Sequence, residues 1–437
     1  MKNSAARPAV FVMNTYYTGI GIARNLYRYG VDVHGLVWDS DAPGVRSRFF
    51  KSIHVVPNGR DEPEALCEKL IELRRQYDEA PVIFPTRDFD VIFLHKYRRE
   101  LGSLYCLPQD TAVESLLDKH ALFKIATERG IPVPQTVICS SMEQIEAQLL
   151  TLRFPLVVKP RIAAQWRQKA AWEAVGSRKA FLVENAEELR REYLQISAVN
   201  PEVMIQQYVQ GSDCDISVYC CFVNADGTIP AFFTARKLRQ NPPLFGTGCA
   251  VETTDIPEIV PIAERLLQGV GYTGIAEVEF KRDTATGNWF LIEVNPRHWD
   301  QHEIGTYVGV NLSWIAYQNM IGRKLDPDAP AQKHRVQLRW IAETESLMLI
   351  MRNAYRQIQE QRRLPHSFSQ FVKGYYAALS SSLFEIAFLL RGRKVFAILH
   401  RRDPWPGVLL FLRTARELCQ MLVRRLTSHA RIRHATD

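Results

Sequence analysis

Two short stretches, GIAEVEF (274–280) and LIEVNPR (291–297), set Glu277, Glu279, Glu293, Asn295 and Arg297 into otherwise apolar segments. In extended backbone alternate side chains share a face, so Glu277 projects with Glu279, and Glu293 with Asn295. The intervening DTATGN (283–288) is a hairpin signal, and pairing across it would bring Glu279, Glu293 and Asn295 together. Two carboxylates and an amide oxygen suit a hard divalent cation, Mg²⁺ or Mn²⁺, with water and phosphate filling its remaining positions. Arg297 adds a permanent cation suited to an anionic oxygen on phosphate or an acyl-phosphate. The bland alternative is a solvated face, with Glu293 paired to Lys281 or Arg282. Against it, Glu, Asn and Arg interrupt an apolar strand, where unpaired charge is costly.

These residues need a scaffold, and the pattern along the chain supplies one. Residues 8–110 alternate short apolar strands (AVFVMN, VDVHGLVW, IHVVP, PVIFP) with helical segments, which predicts a Rossmann-like open parallel sheet covered on both faces. A helix is expected over 111–130, with Thr111 as N-cap, Glu114 at capping-box spacing and Gly130 closing it. From FPLVVKP (154–160) to residue 297 the strands are longer, an α+β pattern. Residues 331–437 read almost entirely as helix, interrupted at Pro365 and at Pro404 to Gly407. The expected division is 1–110, 111–330 (a small lid part at about 131–207 and a metal and nucleotide part at about 208–330), and a basic helical region at 331–437.

The 437 residues are 46% hydrophobic and 23% charged, a globular composition without repeats or low-complexity tracts. No signal-peptide pattern opens the chain and no run reaches a spanning helix. The eight cysteines show no zinc or CxxC spacing, so the expected location is the reducing cytoplasm. The net charge of +8 is uneven: residues from 331 onward carry +12, and the first 330 about −4. This localisation argues against nucleic acid as the partner of the whole protein.

EVEF followed by IEVNPR resembles the metal-binding core of the ATP-grasp superfamily, which includes D-alanine–D-alanine ligase, biotin carboxylase and carbamoyl-phosphate synthetase. The resemblance runs from about residue 9 to about 325; the TYYTGIGIARNL opening and ARKLRQNPP are most similar to the carboxylate–amine ligase branch. It implies an ATP- and Mg²⁺-dependent ligase acting on a small carboxylate and an amine through an acyl-phosphate. It further implies that Glu279, Glu293 and Asn295 hold the metal and that Arg297 steadies the transferred phosphoryl group. Lys159 in LVVKP and Lys119 in LLDKHALF would approach the nucleotide. MIQQYVQG (204–211), with Gln206, Gln207, Tyr208 and Val209, matches the hinge that holds adenine. Asp213 or Asp215 would take the ribose, and Arg236 and Lys237 the triphosphate.

One stretch departs from the family pattern. The phosphate-covering loop matches residues 161–180, where Gly176 is the only glycine. Close backbone approach to phosphate favours glycine, so a lid here would use Arg161, Arg167, Lys169, Ser177 and Lys179 as side-chain donors. His298 and His302 follow the metal strand, either as substrate ligands or as structural residues. Asn14 to Gly21 and Thr86-Arg87-Asp88 lie where parallel sheets bind ligands, the expected place for a small carboxylate or amino acid. The C-terminal stretches mix apolar stripes with arginines and read as amphipathic helices. They would pack on the catalytic body or on another subunit of a homo-oligomer, make peripheral contact with anionic lipid or handle a lipid-linked or cell-envelope substrate, or bind RNA. The alternatives to a ligase are a bicarbonate-using carboxylase, a kinase-like member, and a nucleotide-binding scaffold whose tail is the working surface.

Overall fold

The computed structural model describes residues 7–110, 112–163, 165–167, 169–323, 337–363 and 368–416. The chain opens with β1 (Val10–Val12), β2 (Val33–Val37), β3 (Ser52–Val55) and β4 (Val82–Phe84), a parallel sheet of order β3-β2-β1-β4. Alternation along β1 explains the two-sided cover. Val10 and Val12 pack with Ile20, Ile22 and Leu26 of the helix Tyr17–Tyr27. Phe11 and Met13 pack with Leu66, Leu70 and Leu73 of the helix Pro63–Arg74. A strand buried on both faces reads as a continuous apolar run, as β1 does.

The second sheet is antiparallel: β5 (Thr136–Cys139), β6 (Leu156–Lys159), β7 (Phe181–Val183) and β8 (Val203–Gln207) in the order β5-β8-β6-β7. The third and largest contains β9 (Ile216–Val223), β10 (Ala231–Asn241), β11 (Thr247–Thr253), β12 (Gly274–Arg282), β13 (Trp289–Asn295), β14 (Arg339–Ile341) and β15 (Lys394–Phe396). Its order is β13-β12-β9-β10-β11-β14-β15, antiparallel except for β14 with β15. Parallel and mixed sheets together make an α/β fold.

Two expectations are corrected. The continuous helix over 111–130 is broken into helices Val113–Leu117 and Lys119–Glu128. Asp118 sits between them, accepting from His120 N at 2.9 Å and Ala121 N at 3.3 Å, and so caps the second helix. Thr111 lies outside the described residues, while Gly130 ends the second helix with φ +63°. The tail is not all helix. β14 and β15 each have three residues, too short for periodicity to reveal, and both extend the central sheet. Between them the helices Glu343–Arg363 and Phe368–Leu390 form a hairpin, and a further helix spans residues 405–416. Pro365 lies outside the described residues.

Candidate active site

β12 and β13 pair antiparallel with Glu277 opposite Asn295 and Glu279 opposite Glu293, the convergence the hairpin implied. A register shift follows Glu279, so the pattern changes where the charged positions end. Glu279 is buried, with Lys237 Nζ reaching it from β10 at 2.6 Å. Lys119 Nζ lies 3.4 Å from Glu293 Oε2. The first turn of the capped helix therefore delivers Lys119 to β13. Asn295 donates Nδ2–H to Glu277 at 2.9 Å and accepts from Arg297 Nη2 at 3.0 Å. Arg297 also donates to Asp88 at 2.7 Å, tying the end of β13 to the segment after β4.

The charges of the cluster are mutually adjusted. Burial pushes Glu293 up, but Lys119, Lys237, Lys179 and Lys159 outweigh it and hold the carboxyl below the usual range. Burial, opposed by Lys237, leaves Glu279 raised. Burial, reinforced by the Glu279 charge, pushes Glu277 up to about 8. Lys159 donates to Gln206 Oε1 at 2.8 Å, and Gln206 in turn donates to Thr136 at 2.9 Å. Burial, then the Lys119 charge, brings Lys159 down to about 7.

Lys119, Lys159, Gln206, Gln207, Tyr208, Val209, Lys237, Glu279, Glu293, Asn295 and Arg297 line one cleft of about 650 Å³. Cations outnumber the carboxylates in it, an arrangement suited to a polyanion carrying a divalent metal. Among the described residues no group of three or more His, Cys, Asp or Glu side chains forms a metal cage. Two carboxylates and an amide fit Mg²⁺ all the same, because that ion keeps waters and takes phosphate oxygens.

Three of the residues expected at the nucleotide do not line this cleft. Arg236 follows strand alternation to the face opposite Lys237 and meets Glu252 at 3.1 Å, a carboxylate it shares with Arg339. Asp213 accepts from Gln240 N, Gln240 Nε2 and Leu244 N at 2.9, 2.9 and 3.1 Å, which fixes the turn after β10. Asp215 accepts from Ser212 N and Oγ at 2.7 and 2.8 Å as a local cap. Short polar side chains beside turns bond their own backbone in this way, so both aspartates have structural partners. Arg236→Ala is expected to leave nucleotide affinity within about twofold, as for an exposed ion pair. In the same equilibrium titration Lys237→Ala should weaken ATP binding roughly a hundredfold.

Of the expected lid donors, Lys179 lines the cleft and bonds Thr247 Oγ1 at 2.6 Å. Arg161 instead donates to Asp118 at 2.8 Å, and Ser177 adopts a left-handed conformation at φ +59°. The side chains of Arg167 and Lys169 lie outside the described residues. His298 and His302 are buried, held by Ser313 at 3.1 Å and the Trp299 carbonyl at 2.7 Å, and burial keeps both rings neutral. Their place is structural. Arg87 and Asp88 line the cleft, whereas Asn14 to Gly21 do not. Asn14 donates to Thr86, and Thr18 donates to Asp300 at 2.7 Å, so that turn braces the loop after β13. Lys281, unassigned from sequence, lines the cleft over the Tyr208 ring at 4.4 Å. Its spacing of two from Glu279 on one strand was the available signal.

No family model matches the sequence. It is 24% identical over 328 residues to D-aspartate ligase of Enterococcus faecium (strain Aus0004), covering 71% of this chain and 75% of that protein. It is 21% identical over 288 residues to D-alanine–D-alanine ligase of Chromohalobacter salexigens, covering 64% of this chain and 78% of that protein. Among solved structures, biotin carboxylase from Campylobacter jejuni superposes with a TM-score of 0.59 at 16% identity, over 76% of this chain and 74% of that one. Fold, cleft and relatives agree: the chain is similar to the ATP-grasp carboxylate–amine ligases. It is an ATP-dependent enzyme that forms a C–N bond.

Proposed function

We propose that this cleft joins the carboxylate of an amino acid or similar small acid to an amine, through an acyl-phosphate. The observation that carries the reading is the Glu279–Glu293 pair, set opposite one another on β12 and β13 and ringed by Lys119, Lys159, Lys179 and Lys237. The two ligase relatives have amino acids in their names, which supports an amino acid as one substrate.

Attack of a carboxylate on the γ-phosphate joins two anions, so charge must be neutralised before the oxygen can approach. Lys159, Lys237 and Lys119 supply cations along the triphosphate, with Gln206 orienting the Lys159 ammonium. Bound by Glu279, Glu293 and Asn295, Mg²⁺ would supply Lewis acidity to phosphate oxygens. Arg297, oriented by Asp88, stabilises charge on the transferred phosphoryl group. The carboxylate oxygen bonds to the γ-phosphorus as ADP leaves. The amine nitrogen then bonds to the acyl carbon, phosphate departs with the former carboxylate oxygen, and the amine loses a proton. Lys179, from the stretch over the cleft, helps to exclude water from the acyl-phosphate. Asp88 and Arg87, at the carboxyl ends of the parallel strands, border the space left for the acid.

Oxygen transfer tests the scheme. With an ¹⁸O-labelled carboxylate, the released phosphate should carry one ¹⁸O for each amide formed; unlabelled phosphate would rule out the acyl-phosphate.

The Lys159 ammonium gives a further prediction. Its pKa is depressed to about 7, so the free site loses this charge as pH rises through that value. A bound triphosphate draws the pKa back up, and nucleotide binding at about pH 8 should take up a proton. Calorimetric titrations in buffers of different ionisation enthalpy should show this uptake, with ATP affinity falling above about pH 7. Lys159→Met should abolish the uptake.

A further inference from the structure

The C-terminal helices carry apolar side chains that are exposed among the described residues. Fifteen of the twenty-three exposed large hydrophobic residues identified fall between Leu347 and Leu412, so the exposure is concentrated rather than scattered. On the helix Phe368–Leu390, Ala378 and Leu389 are buried, and Ser382 and Glu385 face the groove shared with Ile350 and Asn353 of the preceding helix. A flanking stripe on the same helix is Tyr376, Leu379, Leu383, Ile386 and Leu390, between 38% and 69% exposed, at the three- and four-residue steps of one helix face. Leu399, Trp405 and Phe411, farther along, are at least half exposed.

Arg391, Arg393, Arg401, Arg402 and Arg416 are exposed around these positions, and none is ion-paired among the described residues. The two acidic residues of 368–416 are turned inward. Glu385 pairs with Arg239 at 2.9 Å, and Asp403, 2% exposed, accepts from Ser47 Oγ at 2.6 Å. Within 368–416 the free charge of the described residues is therefore cationic. Among the described residues no helix is long and apolar enough to cross a membrane. An exposed apolar helix stripe followed at its C-terminal end by unpaired arginines matches a segment lying in the head-group plane. A second copy would bring like charges together.

We propose that this surface docks the enzyme onto an anionic lipid bilayer, the apolar stripe entering the acyl boundary and the arginines meeting lipid phosphates. Flotation of the full chain with vesicles tests it, using phosphatidylcholine alone and phosphatidylcholine mixed with phosphatidylglycerol. Binding is expected on the mixed vesicles, and salt should weaken it. Arg391→Glu and Arg393→Glu should each reduce it about fivefold or more. Leu383→Asp should remove most of the remainder. All three positions are exposed, so the ATP-induced rise in Tm should persist, showing that the variants fold. No binding, or equal binding to neutral vesicles, overturns the proposal. A concentration-dependent dimer abolished by Leu383→Asp also overturns it, and assigns the face to a second copy.

Discussion

Glu293→Ala should lower ATP turnover by roughly a thousandfold or more, the several kcal/mol that a properly held metal ion contributes to phosphoryl transfer. The same substitution should not weaken nucleotide binding measured in EDTA. Glu293 faces Glu279 across β12 and β13, with Lys119 at 3.4 Å, so in the metal-free protein it balances the lysines of the cleft. Removing it leaves those cations available to the triphosphate, so metal-free ATP affinity should hold or rise while catalysis is lost. A merely structural carboxylate would lose both together. Mg²⁺-dependent phosphate release beside nucleotide titration in EDTA separates the two.

Arg297→Ala should reduce kcat by roughly a hundred- to a thousandfold, the effect of removing a donor aimed at developing charge. Its guanidinium is held on three sides, by Asp88 at 2.7 Å, the His298 carbonyl at 3.0 Å and Asn295 at 3.0 Å. Arg297→Lys should recover little, because an ammonium cannot keep that planar set of contacts. Asp88 acts through Arg297, so Asp88→Asn should cost less, about tenfold, as the loss of an orienting partner does. It should lower kcat more than it raises the KM for ATP. Steady-state kinetics of the three variants give the ordering; an Asp88 variant worse than the Arg297 variants would contradict the assignment.

The Glu279 and Glu293 strands were legible because a charged residue in an apolar strand is expensive, and because alternation fixes which residues share a face. EVEF and IEVNPR, joined by a hairpin signal, therefore imply the pairing of Glu279 with Glu293 found across β12 and β13. Lys159 and Lys237 were implied by the family resemblance alone, and both line the cleft beside that pair. Arg236, assigned with Lys237 by the family resemblance, lies off the cleft because neighbours on a strand point apart. Asp213 and Asp215 could not be separated from ligand carboxylates by type, since an aspartate after a strand caps a turn as readily as it binds a hydroxyl. The Asp88–Arg297 contact spans 209 positions and has no local signal. Short strands such as RWI and KVF carry too few residues for a period, which hid the extension of the central sheet into the tail. The break at Asp118 was hidden by good helical spacing on both sides of it.

The most direct test is phosphate release from ATP in Mg²⁺ against a panel of amino acids and small carboxylates, alone and in acid–amine pairs, with Glu293→Ala as control. The account predicts release that requires one acid together with one amine, yields an amide in equal amount, and disappears in the variant. Release that depends on bicarbonate and needs no amine, or turnover that survives in Glu293→Ala, would contradict it.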